Sequence, residues 1–128
     1  MGAKGTAIVD FGAFPGASDA SVAVTGQAGI LTSSLVEAWI YPLATSDHSA
    51  DEHMVETIRA FADASTIIAG TGFTIKVFNM SEFYAQPVSP GPSKFRSAAA
   101  TVYGFVGGSL SEPGTLLYGK WTVAWVWD

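Results

Sequence analysis

Apolar and polar residues alternate with a period of two along most of this chain. "TAIVDFGAF" (Thr6 to Phe14) and "ASVAVTGQ" (Ala20 to Gln27) are short runs of this kind, divided by the turn-rich "PGASD". They predict a hairpin or two neighbouring strands. "SSLVEAWIYPL" (Ser33 to Leu43) is a longer run in which Pro42 marks where ladder pairing stops, because proline has no N–H to donate. "GFTIKVFNM" (Gly72 to Met80) sets Phe73, Ile75 and Val77 against Thr74 and Lys76. "YAQPVSPGPSKF" (Tyr84 to Phe95) carries Pro87, Pro90, Gly91 and Pro92 and predicts a loop, after which "AAATVYGFVGG" and the terminal run supply further strands. No internal repeat or linker interrupts the pattern, and residues 1–128 read as one domain.

The closing stretch "GKWTVAWVWD" is one-sided. An extended strand puts Trp121, Val123, Trp125 and Trp127 on one face and Thr122, Ala124, Val126 and Asp128 on the other. Each tryptophan can bury roughly 150–250 Å², worth on the order of 4–6 kcal/mol at about 25 cal/mol per Å². A stripe of that size has to be covered. Val123 and Trp125 are therefore assigned to the core, and Trp127, nearest the end, to a subunit interface.

"SADEHMVETIRAFADAS" (Ser49 to Ser65) supports two readings. Ser49 and Glu52 have the spacing of a capping box, with Met54, Ile58, Phe61 and Ala62 on one helical face. As a strand, the segment places Val55, Thr57, Arg59 and Phe61 on one side and pairs with "STIIAGTGFTIKV" through a turn at Asp63 to Ser65. The strand reading is preferred because every other element reads as β. The chain is thus all-β: an antiparallel β-sandwich or jelly-roll-like barrel of about seven or eight strands, with room for one short helix within 50–64.

Composition narrows the function classes. Hydrophobic residues make up 48% of the chain and charged ones 13%, about half the usual charged share. So thin a charge suits either a surface of hydroxyls and amides or one covered by partners. The net charge of −5 and the scatter of only six lysines and arginines leave no basic footprint for nucleic acid. Cysteine is absent, so thiolate metal sites and disulfides are excluded. No apolar run approaches the ~18 residues of a membrane span, and no membrane insertion is expected.

The one cluster of titratable groups is "SDHSADEH", with Asp47, His48, Asp51, Glu52 and His53. Histidines five apart lie on opposite faces of a strand and about 140° apart around a helix, so only a loop could bring both to one ion. The cluster is read as a solvated polar loop with local caps, with no metal and no cofactor. Gly114 to Lys120 fits G-x-x-x-x-G-K, but Trp121 stands where a phosphate loop needs Ser or Thr. "GGSLS" (Gly107 to Ser111) lacks the last glycine of a nucleophile elbow. No catalytic residue is assigned, and an enzyme is not expected.

"GTAIVDFGAFPGASDASVAVTGQAGI", "HSADEHMVE", "AGTGFTIKV" and "YGKWTVAWVWD" together resemble a family of small β-rich proteins encoded by tailed bacteriophages, most of them described only as hypothetical or virion proteins. The similarity covers most of the chain and is weakest from Gln86 to Ser93. It implies a non-enzymatic structural component of the virion, a multi-copy head decoration or cement protein or a tail or tail-fibre component. Its expected partners are its own copies, as a homo-oligomer with a trimer foremost, and a larger capsid or tail protein. The residues expected at such interfaces are Trp127, Trp121, Trp39, Tyr41 and Tyr103. The alternative is a receptor-recognition module in which exposed aromatics such as Trp39, Tyr41 or Tyr103 stack on a host glycan.

Overall fold

The period of two becomes two three-stranded antiparallel sheets packed face to face. The computed structural model describes residues 2–80 and 116–128. Its elements follow in the order β1 (Ala3–Asp10), β2 (Asp19–Val24), β3 (Val36–Ile40), α1 (Ala50–Val55), β4 (Ile58–Ile68), β5 (Gly72–Asn79) and β6 (Lys120–Trp127). One sheet has the order β1-β6-β3 and the other β2-β5-β4. β1 lies beside β2 and β3 beside β4, so the two sheets approach each other along both edges. The all-β sandwich expected from the pattern is what the chain forms, with six strands among the described residues. The loop expected over Tyr84 to Phe95 and the strand expected in "AAATVYGFVGG" lie outside those residues.

The first two strands are neighbours but not a hairpin. β1 pairs with β6, and β2 pairs with β5. Pro42 does end β3, two residues after Ile40.

β6 organises the core. Its inward row, Trp121, Val123, Trp125 and Trp127, meets Val9, Ile30, Phe73, Ile75 and Val77, all essentially buried. Trp125 stands edge-on to Phe73 at 6.0 Å between ring centres. Three indoles take so much of the inter-sheet volume that the flanking strands carry small residues inward: Ala3, Gly5 and Ala7 on β1, and Ala38 on β3. At Gly5 a Cβ would come within 2.7 Å of Trp125 Cζ2, so only glycine lets the indole lie against β1 there.

The assignment of Trp127 and Trp121 to subunit interfaces is corrected by their burial. Trp127 is only 5% exposed and donates its indole N–H to Gln27 Oε1 at 2.8 Å. Trp121 is only 2% exposed and donates to the carbonyl of Tyr118 at 3.2 Å. Both are core residues of a single copy, because the connection after β2 and the residues before β6 wrap their polar edges.

The ambiguous segment contains both readings in series. Residues 50–55 are helical, with Ser49 and Glu52 closing the capping box in both directions, and the strand begins only at Ile58. The preference for a strand throughout is thereby corrected. So is the proposed helical face, since Met54 is exposed and Ile58, Phe61 and Ala62 belong to β4. β4 does pair with β5, but the turn lies at 69–71 rather than at Asp63 to Ser65. Asp63 to Ser65 opens a bulge, where the ladder steps from Asp63↔Thr74 to Ile68↔Gly72.

Candidate functional site

β6 outlasts its partner. β3 stops at Ile40, and the last ladder bond on that side runs from Tyr41 N–H to the carbonyl of Thr122 at 3.0 Å. The backbone of β6 from Lys120 to Thr122 is then left without a strand on that side. The connection from Pro42 to Glu56 supplies side chains instead. Asp47 Oδ2 accepts the N–H of Lys120 at 2.8 Å, and Thr45 Oγ1 donates to the carbonyl of Lys120 at 2.8 Å. His53 Nε2 accepts the N–H of Thr122 at 2.9 Å. Thr122 Oγ1 in turn donates to the carbonyl of Leu43 at 2.8 Å. Buried amides require partners, and here polar side chains take the place of a missing strand.

The two histidines close on the same ring. His48 stacks on Trp121 with 3.8 Å between ring centres and 18° between planes, and His53 meets Trp121 at 61° and 4.9 Å. His53 comes from the helix and His48 from the loop before it, which is how residues five apart reach one place. The structure thus places "SDHSADEH" as a clamp across the end of the sandwich rather than as a solvated loop. His48 is 7% exposed and His53 3%.

Their hydrogen bonds differ in kind. His53 Nε2 accepts from an amide, so its proton sits on Nδ1, which donates to the carbonyl of Ser49 at 2.7 Å. His48 faces two acceptors: Glu52 Oε1 at 2.8 Å on Nδ1 and the carbonyl of Tyr118 at 2.7 Å on Nε2. A neutral ring donates to one of the two; in the protonated form it donates to both, with Glu52 as its counter-ion. Glu52 Oε1 also receives the N–H of Ser49, so one carboxylate both caps the helix and holds His48.

A cleft of about 330 Å³ opens beside this clamp, walled by Phe14, Val55, Tyr118 and Trp121, with His48 and Glu52 at its polar side. His48 and Glu52 have the spacing of an acid–base pair, but both ring nitrogens are already committed. A general base needs a nitrogen aimed at substrate, and none is free here. Among the described residues no group of three or more His, Asp and Glu side chains is arranged to hold a metal ion.

The exposed aromatics lie elsewhere. Trp39 and Tyr41 alternate with the inward Ala38 and Ile40, so both project from the outer face of the first sheet, 44% and 43% exposed. Tyr103 and the "GGSLS" stretch lie outside the described residues. Leu35 and Ile8, 77% and 46% exposed, join Trp39 and Tyr41 on that face and were not singled out from sequence. The signal was present: Leu35, Glu37, Trp39 and Tyr41 keep one parity in "LVEAWIY".

The outer face of the second sheet is different in kind. Phe61 and Phe78 pack together at 6.0 Å, Arg59 lies 5.2 Å over the Phe61 ring, and Lys76 Nζ meets Asp63 Oδ2 at 2.7 Å. The Lys76 hydrogen bond, followed by those from Ser65, lowers the Asp63 carboxyl from 3.8 to about 2.

Fold and surface together define a small antiparallel β-sandwich with a side-chain clamp at one end and, among the described residues, exposed aromatic and aliphatic side chains on the outer edges of one sheet face. No family model matches the chain, and no curated protein or solved structure is similar to it.

Proposed function

We propose that this chain is a non-enzymatic structural component of a tailed-bacteriophage particle, present in many copies on the head or tail and acting through protein–protein contacts. Its partners on this reading are its own copies and a larger capsid or tail protein. The observation that supports it best is the outer face of the first sheet, where Leu35, Trp39, Tyr41 and Ile8 stand exposed. Contiguous apolar faces of this kind mark interaction surfaces. The commitment of the only histidines to backbone support, and the sequence resemblance to virion proteins, support the same reading. Mass spectrometry of purified particles with cryo-EM of the intact virion tests it. Stoichiometric copies on head or tail are expected, and a chain found only in infected-cell lysate overturns it.

The alternative is a glycan-recognition module of the particle, favoured by Trp39 and Tyr41 sharing one face, since exposed rings stack on sugars. Binding of host-surface polysaccharide that W39A abolishes would select this alternative.

A further inference from the structure

The outer face of the first sheet has an internal regularity that points to its occupant. Its cross-strand rows read Lys4, Val126, Glu37; then Thr6, Ala124, Trp39; then Ile8, Thr122, Tyr41, each in the order β1, β6, β3. One row further out Leu35 of the β3 side is joined to Asp128 of the β6 side by reciprocal backbone hydrogen bonds of 2.9 Å. β1 therefore presents cationic, small and aliphatic positions where β3 presents anionic, large and aromatic ones. Lys4 and Glu37 are two strand spacings apart, about 10 Å, and neither makes an ion pair among the described residues.

We propose that this face binds the same face of a second copy across a two-fold axis parallel to β6. That operation exchanges β1 with β3 and returns each row onto itself reversed. Lys4 then meets Glu37 of the second copy, Trp39 lies over Thr6, and Tyr41 lies over Ile8. Trp39 lands on the small Thr6 and Lys4 on Glu37, each twice per contact, while Lys120 and Asp128, at the two ends of β6 on the axis, face their own copies. Isologous contacts require self-complementarity of this sort. The second sheet offers no such match, because its outer Phe61, Arg59, Lys76 and Asp63 are already paired within the chain.

The size of the face sets the strength. Three strands about 4.8 Å apart, over the stretch from Leu35 to Tyr41 that is hydrogen-bonded along β6, give roughly 14 by 24 Å, or on the order of 400–600 Å² per copy once side-chain relief is counted. That is the low end of specific interfaces, so pairing is in the micromolar range or weaker and becomes firm only where copies are held side by side. The pairing rests on the multi-copy reading above for its purpose, though not for its geometry.

The test is sedimentation equilibrium of the full chain from about 1 µM to 1 mM, with circular dichroism to check each variant's fold. The parent is expected to dimerise reversibly, and W39A to weaken dimerisation tenfold or more. K4E alone and E37K alone each oppose like charges twice and should weaken it about tenfold. The double variant K4E/E37K should restore it, and an equimolar mixture of the two single variants should form a heterodimer. A chain monomeric at 1 mM, a trimer, or a dimer indifferent to these exchanges overturns the proposal. So does W39A that loses only glycan binding. The outcome is separable from the virion assignment: a two-fold dimer absent from particles refutes that assignment alone, whereas particle copies insensitive to W39A and E37K refute the pairing alone.

Discussion

Replacing His53 with leucine isolates what the clamp does for β6. The two side chains have similar bulk, so the change removes hydrogen bonds with little loss of packing against Trp121. It leaves the N–H of Thr122 without its acceptor in a residue only 1% exposed. An orphaned buried amide costs about 1–3 kcal/mol, and losing the Nδ1–H bond to Ser49 costs about 0.5–1.5 kcal/mol more. Added apolar burial offsets about 1 kcal/mol of this. The net expectation for His53→Leu is a loss of about 1–3 kcal/mol, which at ~3–5 °C per kcal/mol for a chain this size lowers Tm by about 3–15 °C. Urea unfolding and calorimetry measure the global loss. Amide exchange at Thr122 gives the local readout, and its protection should fall further than that of Val123 or Trp125. His53→Gln, whose amide oxygen can accept and whose NH2 can donate, should recover part of the loss. If His53→Leu unfolds with the parent and Thr122 keeps its protection, the side-chain substitution for a missing strand is wrong.

Ser49→Ala removes one half of the capping box and should cost about 1 kcal/mol by urea unfolding, while Ser49→Asp should be close to neutral. Gly5→Ala drives a Cβ into the Trp125 ring, which Phe73 holds from its other side, and should cost about 1–3 kcal/mol with perturbed near-UV circular dichroism. In NMR titration Asp63 should show a pKa near 2, and Lys76→Gln should raise it toward 3.8. The folded-state value is the depressed one, so this contribution is present above about pH 4 and fades as pH falls from there toward 2.

The tryptophan stripe was legible because period two and side-chain size act locally, and a strand bearing three indoles on one face can only bury them. What covers the last indole was not legible. Gln27, which accepts the Trp127 N–H, stands 100 positions earlier in the chain. The capping box at Ser49 was equally readable, yet the element following it was not, since six helical residues and an eleven-residue strand share one apolar run. Asp63 and Ser65 gave a true turn signal in the wrong setting. Asp63 Oδ1 accepts both the N–H and the hydroxyl of Ser65, chemistry that serves a bulge as well as a hairpin. The polar cluster misled for a related reason. The backbone it supports lies some 70 residues away, and no local pattern announces a strand that runs on beyond its neighbour.

The crowding inside the first sheet explains what stands outside it. With Trp121, Trp125 and Trp127 filling the space between sheets, β1 and β3 turn Ala3, Gly5, Ala7 and Ala38 inward beside Val9, Val36 and Ile40, and Lys4, Glu37, Trp39 and Tyr41 occupy the outer face. On the proposed pairing, folding and association are divided between the two parities of the same strands. Enlarging Ala38 or Ala7 should destabilise the sandwich by overpacking, whereas W39A or E37K, on the other parity, should leave the unfolding transition nearly unchanged and move only the association equilibrium. Such a division lets surface rows vary to tune contacts between copies without disturbing the core, a requirement for any subunit whose work is done at its surface.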